Sequence, residues 1–158
     1  MSTGTRKAEI EHFINENAEE DDFTGGVEEE IIIEIEKELQ TTLPESYKWF
    51  LKNYGSGGMY GIEIEGSINK KATVVDRTKV YRDHFGLPKG IVVIEYVDEF
   101  SYCLDTNKMK DRECPVILWA NEAGYGRTVA QSFLEYFFER LKEKKENWEE
   151  DEDWDDEE

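Results

Sequence analysis

Residues 43–58 read LPESYKWFLKNYGSGG, and at their end the pattern of the chain changes from helical to that of strands. Pro44 suits the first turn of a helix, where its missing N–H is not needed. Four large side chains then share one helical face: Tyr47, Phe50, Leu51 and Tyr54. Gly55 follows, and glycine readily adopts the left-handed conformation that ends helices. The stretch therefore predicts a short amphipathic helix and a glycine turn.

Two further helices are predicted before this stretch. Residues 6–17 carry Ile10, Phe13 and Ile14 at helical spacing. Residues 28–39 form the clearest helix, with Ile31, Ile35 and Leu39 in one stripe and glutamates at the positive end of the helix dipole. The first half of the chain is therefore predicted to be helical.

After Gly58 the pattern changes to that of a sheet. Residues 59–66 alternate apolar and acidic side chains, which is typical of a strand with one wet face. Further elements are predicted as a helix at 78–85, strands at 91–94, 102–104 and 115–119, and a closing helix at 128–142. This order predicts an α+β fold, in which an antiparallel sheet of about five or six strands packs with N-terminal helices and a C-terminal helix.

Charge is the unusual feature of the composition. The 158 residues include 19 Lys and Arg against 38 Asp and Glu, for a net charge of −19. Such a protein repels nucleic acid and anionic membranes and is attracted to basic protein surfaces. The plainer alternative is that the acidity serves solubility alone.

The acids are concentrated at the C-terminus. Residues 146–158 contain ten acids and no base, and they supply more than half of the net charge. We therefore expect a single domain over residues 1–145 and an acidic tail over residues 146–158. Runs of like charge are commonly disordered, although Trp148 and Trp154 could dock the tail onto the domain.

The sequence carries no pattern that predicts catalysis, a cofactor or a metal. His12 and His84 are isolated, and the calcium-like string Asp105, Asn107 and Asp111 lacks the glycine and closing glutamate of a calcium loop. Cys103 and Cys114 show no C-x-x-C spacing and are expected to be reduced. No secretion signal follows Met1, so we expect a cytoplasmic protein. Because no catalytic pattern is present, we also expect that it is not an enzyme.

Residues 31–58 resemble the opening motif of the SUKH superfamily, which includes the yeast cell-wall-assembly regulator and many bacterial immunity proteins. The resemblance continues through residues 91–94, 102–105 and 115–119 to the terminal helix, and so spans residues 7–142. Residues 104–111 and 152–156 are similar to the YobK branch of Gram-positive bacteria. We interpret the motif residues as members of the hydrophobic core: Leu43, Tyr47, Phe50 and Leu51.

The resemblance implies an immunity protein that neutralises the C-terminal toxin domain, commonly a nuclease, of a secreted polymorphic toxin. The charge fits this role, since a nuclease must present a basic groove to phosphates. The candidate partner-binding residues are Glu63, Glu65, Asp151, Asp153, Trp154, Asp155 and Asp156. The alternative is an intracellular regulatory scaffold similar to the yeast member, and an exposed sheet edge could also pair two copies as a homodimer.

Overall fold

A computed structural model of the protein describes residues 3–68 and 71–156. In chain order the elements are α1 (Thr3–Asn17), α2 (Glu29–Leu39), α3 (Glu45–Asn53), β1 (Ser67–Ile68), β2 (Lys71–Ala72), α4 (Thr73–Phe85), β3 (Ile91–Val97), β4 (Phe100–Asp105), β5 (Val116–Ala120), β6 (Gly124–Ala130) and α5 (Phe133–Asp156). The predicted α+β class is confirmed. The strands form an antiparallel sheet of order β3-β4-β5-β6 and a two-stranded β1-β2 hairpin. No helix in this part of the chain has the length and apolar character needed to cross a bilayer.

Strands β3, β4 and β5 bury side chains on both faces of the sheet, since a strand places alternate side chains on opposite sides. The cross-strand row Val92, Leu104 and Val116 belongs to the main core, together with α1, α2, α3 and α5. The neighbouring row Val93, Cys103 and Ile117 packs with Tyr81 of α4 in a second, smaller core. The later part of α4 therefore packs with one face of the sheet, while Val74 and Val75 at its start belong to the main core with the other helices.

The helix and turn predicted from residues 43–58 are confirmed. Pro44 precedes α3, and the side chains of Tyr47, Phe50 and Leu51 are fully buried. The ring of Phe50 lies 5.5 Å and 5.3 Å, between centroids, from Phe133 and Phe137 of α5. Gly55 has a φ of +75°, and a Cβ there would lie 2.0 Å from the carbonyl oxygen of Gly25, so only glycine fits.

The strand predicted over residues 59–66 is wrong, although its alternation of burial is right. Ile62 and Ile64 are buried and Glu63 is exposed. The backbone turns at the start of this segment, where the Ile62 N–H donates to the Met59 carbonyl at 3.1 Å. It then pairs once with Gly57, and the next N–H, of Glu65, donates to the Ile94 carbonyl at 2.7 Å. A turn followed by contacts to two different segments leaves no continuous ladder.

The start predicted for the last helix is also wrong. Thr128 and Ala130 pair with Ile117 and Val116 as part of β6. The helix begins only at Phe133, because the Ser132 hydroxyl accepts a hydrogen bond from the Glu135 N–H at 3.2 Å. This serine cap ends the strand region and starts α5.

The two edges of the sheet differ. On β3 the Val93 N–H donates to the Thr78 hydroxyl at 3.0 Å and the Ile94 carbonyl accepts from Glu65, so this edge is capped by other segments. Strand β6 pairs with β5 alone in the described part of the chain, and its register shifts twice along that pairing. Such bulges and the exposed Arg127 are features that discourage edge-to-edge pairing. The homodimer stays a prediction.

Candidate interaction surfaces

Helices α1 and α5 run side by side in the same direction. Arg6 and Phe13 both contact the Phe138 ring, at 5.2 Å and 6.2 Å, and the Lys145 ammonium lies 5.7 Å from the Phe13 ring. One turn further on, Trp148 packs on Tyr60, with ring centroids 5.9 Å apart. The Tyr60 hydroxyl in turn bonds the side chain of Asn17, the last residue of α1, at 3.2 Å. Trp148 therefore lies near the level at which α1 ends.

Helix α5 continues beyond this level without α1 beside it. Residues 149–156 complete the helix, and seven of these eight residues are acidic. At 1.5 Å per residue they extend the helix by about 12 Å. The loop that follows α1 carries Glu19, Glu20, Asp21 and Asp22, of which the first three are exposed. We call residues 19–22 and 149–156 together the acidic pole.

The tail residues predicted to bind a partner belong to the acidic pole. The backbone of Asp151, Asp153, Trp154, Asp155 and Asp156 is part of α5, and their side-chain positions lie outside the described part of the structure. Trp148, which the sequence suggested as a docking residue, contacts Tyr60 while 51% of its surface stays exposed. The binding role of the five tail residues stays a prediction.

The other two predicted contacts, Glu63 and Glu65, are in different environments. Glu63 is exposed in the same loop as Tyr60. The Glu65 side chain is only 14% exposed and lies 3.7 Å from the Arg77 guanidinium. Burial raises the pKa of Glu65, an effect that the positive charge of Arg77 opposes. Glu63 is thus the more accessible of the two carboxylates.

A second surface, which the sequence did not reveal, lies at one end of the sheet. The tips of the β3–β4 and β5–β6 hairpins and the end of α4 enclose a cleft of about 620 Å³, which we call the end cleft. Its apolar lining comes chiefly from Phe85, Phe100 and Leu118, and Phe85 is 40% exposed. Three acids lie around it: Asp98, Glu99 and Glu122.

Asn121 ties the two hairpins of the end cleft together. Its backbone N–H donates to the Glu99 carbonyl at 3.0 Å, and its side-chain amide donates to the Asp98 carbonyl at 3.1 Å. Asp98 has a φ of +50°, in the left-handed region that a two-residue hairpin turn requires. The hydrogen bonds from Asn121 therefore fix the relative positions of the two turns that carry the acids.

The end cleft was missed because β6 was missed. In an antiparallel meander, alternate hairpins lie at the same end of the sheet, so the β3–β4 and β5–β6 turns must be neighbours. Each turn carries acids in the sequence, at residues 98–99 and 122. Recognition of residues 124–130 as a strand would have placed these acids side by side.

A third group of polar residues serves the fold. Glu95 is 3% exposed, and its carboxylate accepts hydrogen bonds from the Tyr136 hydroxyl and the Arg140 guanidinium of α5. The Tyr102 ring lies 5.1 Å from the same guanidinium. Burial, and next the charge of Glu95, raise the pKa of Tyr136, so its hydroxyl stays protonated and donates. This network joins β3 to α5.

Asp105, the first residue of the calcium-like string, has partners within the chain. Its carboxylate accepts from the Tyr125 hydroxyl at 2.7 Å and from the Asn107 N–H at 3.2 Å. Among the described residues, no group of three or more Asp, Glu, His or Cys is arranged to hold a metal ion. Burial raises the pKa of the Cys114 thiol to about 12, which keeps it protonated at neutral pH.

The family resemblance predicted from the motifs is confirmed by comparison with known families. The sequence matches the SUKH_5 family, described as SMI1-KNR4 cell-wall, over residues 10–142. This match includes the motif of residues 43–58, the whole four-stranded sheet and α5 as far as Lys142. The chain therefore belongs to the SUKH_5 family of the SUKH superfamily.

Proposed function

We propose that this protein is an immunity protein, which binds and neutralises the C-terminal nuclease domain of a secreted polymorphic toxin by covering its basic groove. It acts in the cytoplasm and catalyses no reaction itself. Membership of the SUKH superfamily is consistent with a protein-binding role of this kind. The observation that carries the proposal is the acidic pole: both of its acidic runs follow, along the chain, the level at which Trp148 and the end of α1 are joined through Tyr60.

The acidic pole suits a nuclease because of what a nuclease must display. Phosphate binding requires a groove lined with lysine and arginine. Charges within a Debye length of about 10 Å at 0.1 M salt act together, and the tail places seven acids within about 12 Å of helix. Such a field speeds association with a basic groove, and carboxylates bound there displace the nucleic-acid backbone.

Side-chain contacts fix the position of α5 at the point where the acidic pole begins. The Tyr60–Trp148 contact and the hydrogen bond from Tyr60 to Asn17 link α5, the 59–66 loop and the end of α1. Exposed Glu63 lies in that loop, so it is a further contact on this side of the protein. Glu65 contributes charge less directly, since it is turned towards Arg77.

Co-expression tests the proposal. The chain is produced together with the C-terminal domain of the secreted protein encoded beside its gene, and growth and complex formation are measured. Rescue of growth together with a stable complex supports the proposal. Continued toxicity, with no complex between the purified proteins, contradicts it.

A charge variant tests whether the acidic pole is the contact. The changes Glu19→Gln, Glu20→Gln, Asp21→Asn and Glu149→Gln remove four exposed acids from it. The matched control Glu34→Gln, Asp76→Asn, Asp83→Asn and Asp111→Asn removes four exposed acids elsewhere. We expect the pole variant to bind the toxin domain at least tenfold more weakly than the control.

The family description favours one other candidate function, a regulatory scaffold similar to the yeast cell-wall-assembly regulator. Affinity capture from the native cell distinguishes the two functions. A single tightly bound basic domain supports immunity, whereas several weakly bound acidic or neutral partners support scaffolding.

A further inference from the structure

The end cleft combines an apolar lining with acidic residues and no basic one among the described residues that line it. Phe85, Phe100 and Leu118 line it, and its three charged residues, Asp98, Glu99 and Glu122, are all acidic. No lysine or arginine is among its described lining residues. In interfaces, apolar contacts supply most of the binding energy and complementary charge supplies the choice of partner.

The groove between α2 and α4 shows why the composition of the end cleft is informative. That groove, of about 490 Å³, also contains three acids, Glu34, Glu38 and Asp76, but Lys37 and Lys79 lie beside them. The Lys79 ammonium is 2.7 Å from the Glu38 carboxylate. Its charge is therefore largely satisfied within the chain, whereas the acids of the end cleft are left for a partner.

The end cleft is also shaped before any partner arrives. Asn121 joins the two hairpin tips: its backbone N–H donates to the Glu99 carbonyl at 3.0 Å and its side-chain amide to the Asp98 carbonyl at 3.1 Å. The Phe85 ring packs on Tyr81, with centroids 4.9 Å apart, which fixes the α4 side of the cleft. Binding to a preorganised cleft loses little conformational entropy.

We propose that the end cleft receives a protein segment in which lysine or arginine alternates with a large apolar side chain. The apolar side chain packs against Phe85 and Phe100, while the cations lie between Glu99 and Glu122 at the hairpin tips. This inference deepens the proposed function, because it assigns such a segment of the toxin domain to a second contact, apart from the acidic pole.

Peptide titration followed by amide NMR tests this assignment without the toxin. The probes are three synthetic 12-residue peptides: one alternates Arg and Phe, one alternates Arg and Ser, and one alternates Glu and Phe. We expect the Arg–Phe peptide to shift the amide signals of residues 98–100 and 121–123 saturably. The other two peptides are expected to bind at least tenfold more weakly at those signals.

A pair of charge reversals completes the test. The variant Glu99→Lys/Glu122→Lys is expected to weaken binding of the Arg–Phe peptide at least tenfold. The control Glu9→Lys/Glu34→Lys, an equal change of charge at exposed sites on α1 and α2, is expected to leave it within about threefold. Unchanged amide spectra away from the substitutions show that both variants fold. Equal binding of the Arg–Ser peptide, equal loss in both variants, or signal shifts confined to the acidic pole would overturn the assignment. None of these outcomes depends on whether the toxin is neutralised.

Discussion

Glu95 and Glu99 lie four residues apart on one hairpin and have opposite environments. Glu95 is buried and accepts hydrogen bonds from Tyr136 and Arg140. Glu99 is exposed at the hairpin tip, where the end cleft has no basic residue among its described lining. A buried charge is retained only when it is paired, whereas an exposed, unpaired charge costs the fold little and stays available to a partner. Burial and pairing therefore separate the acids that build this protein from those that serve recognition.

The largest expected effect comes from removing the buried carboxylate. Glu95→Ala leaves the Arg140 guanidinium and the Tyr136 hydroxyl without their acceptor inside the protein. Breaking a buried ion pair from one side costs about 3–5 kcal/mol. Urea denaturation measures the loss, and Glu99→Ala is the control, expected to change the free energy of unfolding by no more than about 0.5 kcal/mol. Similar losses in both variants would show that the two environments do not differ as described.

A smaller effect separates hydrogen bonding from packing in the same network. Tyr136→Phe keeps the ring against Tyr102, 5.1 Å away between centroids, but removes the hydroxyl that donates to Glu95. Loss of one hydrogen bond to a buried charged group is expected to cost about 1–3 kcal/mol in the free energy of unfolding. Denaturation at neutral pH measures this, and a variant as stable as the parent would show that the Arg140 contact alone holds Glu95.

The smallest effect concerns Glu65, which is intermediate between the two environments. Burial raises the pKa of Glu65 above its ordinary value of 4.5, so the folded state takes up this proton at a higher pH than the unfolded state. Protonation of Glu65 therefore increases the free energy of unfolding as the pH falls from neutral towards 4.5. Glu65→Gln cannot gain in this way. We expect the difference in unfolding free energy, Gln variant minus parent, to decrease between pH 7 and pH 5.

Denaturation curves of the two proteins at both pH values check this expectation. Glu34→Gln is the control, because Glu34 is exposed on α2 and is not among the charges that act on Glu65. A difference between the Glu65 variant and the parent that stays constant with pH would contradict the stated environment of Glu65.

The parts of the fold that follow from sequence are those in which a local pattern and burial agree. The apolar stripe of residues 31–39 and the motif of residues 43–58 each bury one face against α5 or its neighbours, so α2 and α3 lie where the pattern predicts them. The buried strands β3, β4 and β5 were likewise recognisable from apolar runs. They are covered on both faces and need no polar side.

The remaining parts depend on contacts that a local pattern does not contain. Strand β6 has four exposed residues in succession, Tyr125, Gly126, Arg127 and Thr128, so it lacks the apolar signal and is held by its pairing with β5. Residues 59–66 show the opposite failure, since Ile62 and Ile64 alternate as in a strand but the turn at Met59 and contacts to separate segments prevent a ladder. The end cleft lies beside the turn that leads into β6, so the sequence alone predicted the acidity of a partner surface without locating this cleft.

Recognition through the acidic pole is tested by the rate of association with the toxin domain, measured by stopped-flow fluorescence over a range of salt concentrations. We expect the rate for the parent to fall steeply with salt. The variant that lacks Glu19, Glu20, Asp21 and Glu149 is expected to associate more slowly and with less dependence on salt, and the control with four acids removed elsewhere to associate at a rate close to the parent's. Equal salt dependence of the parent and the pole variant would contradict recognition through the acidic pole.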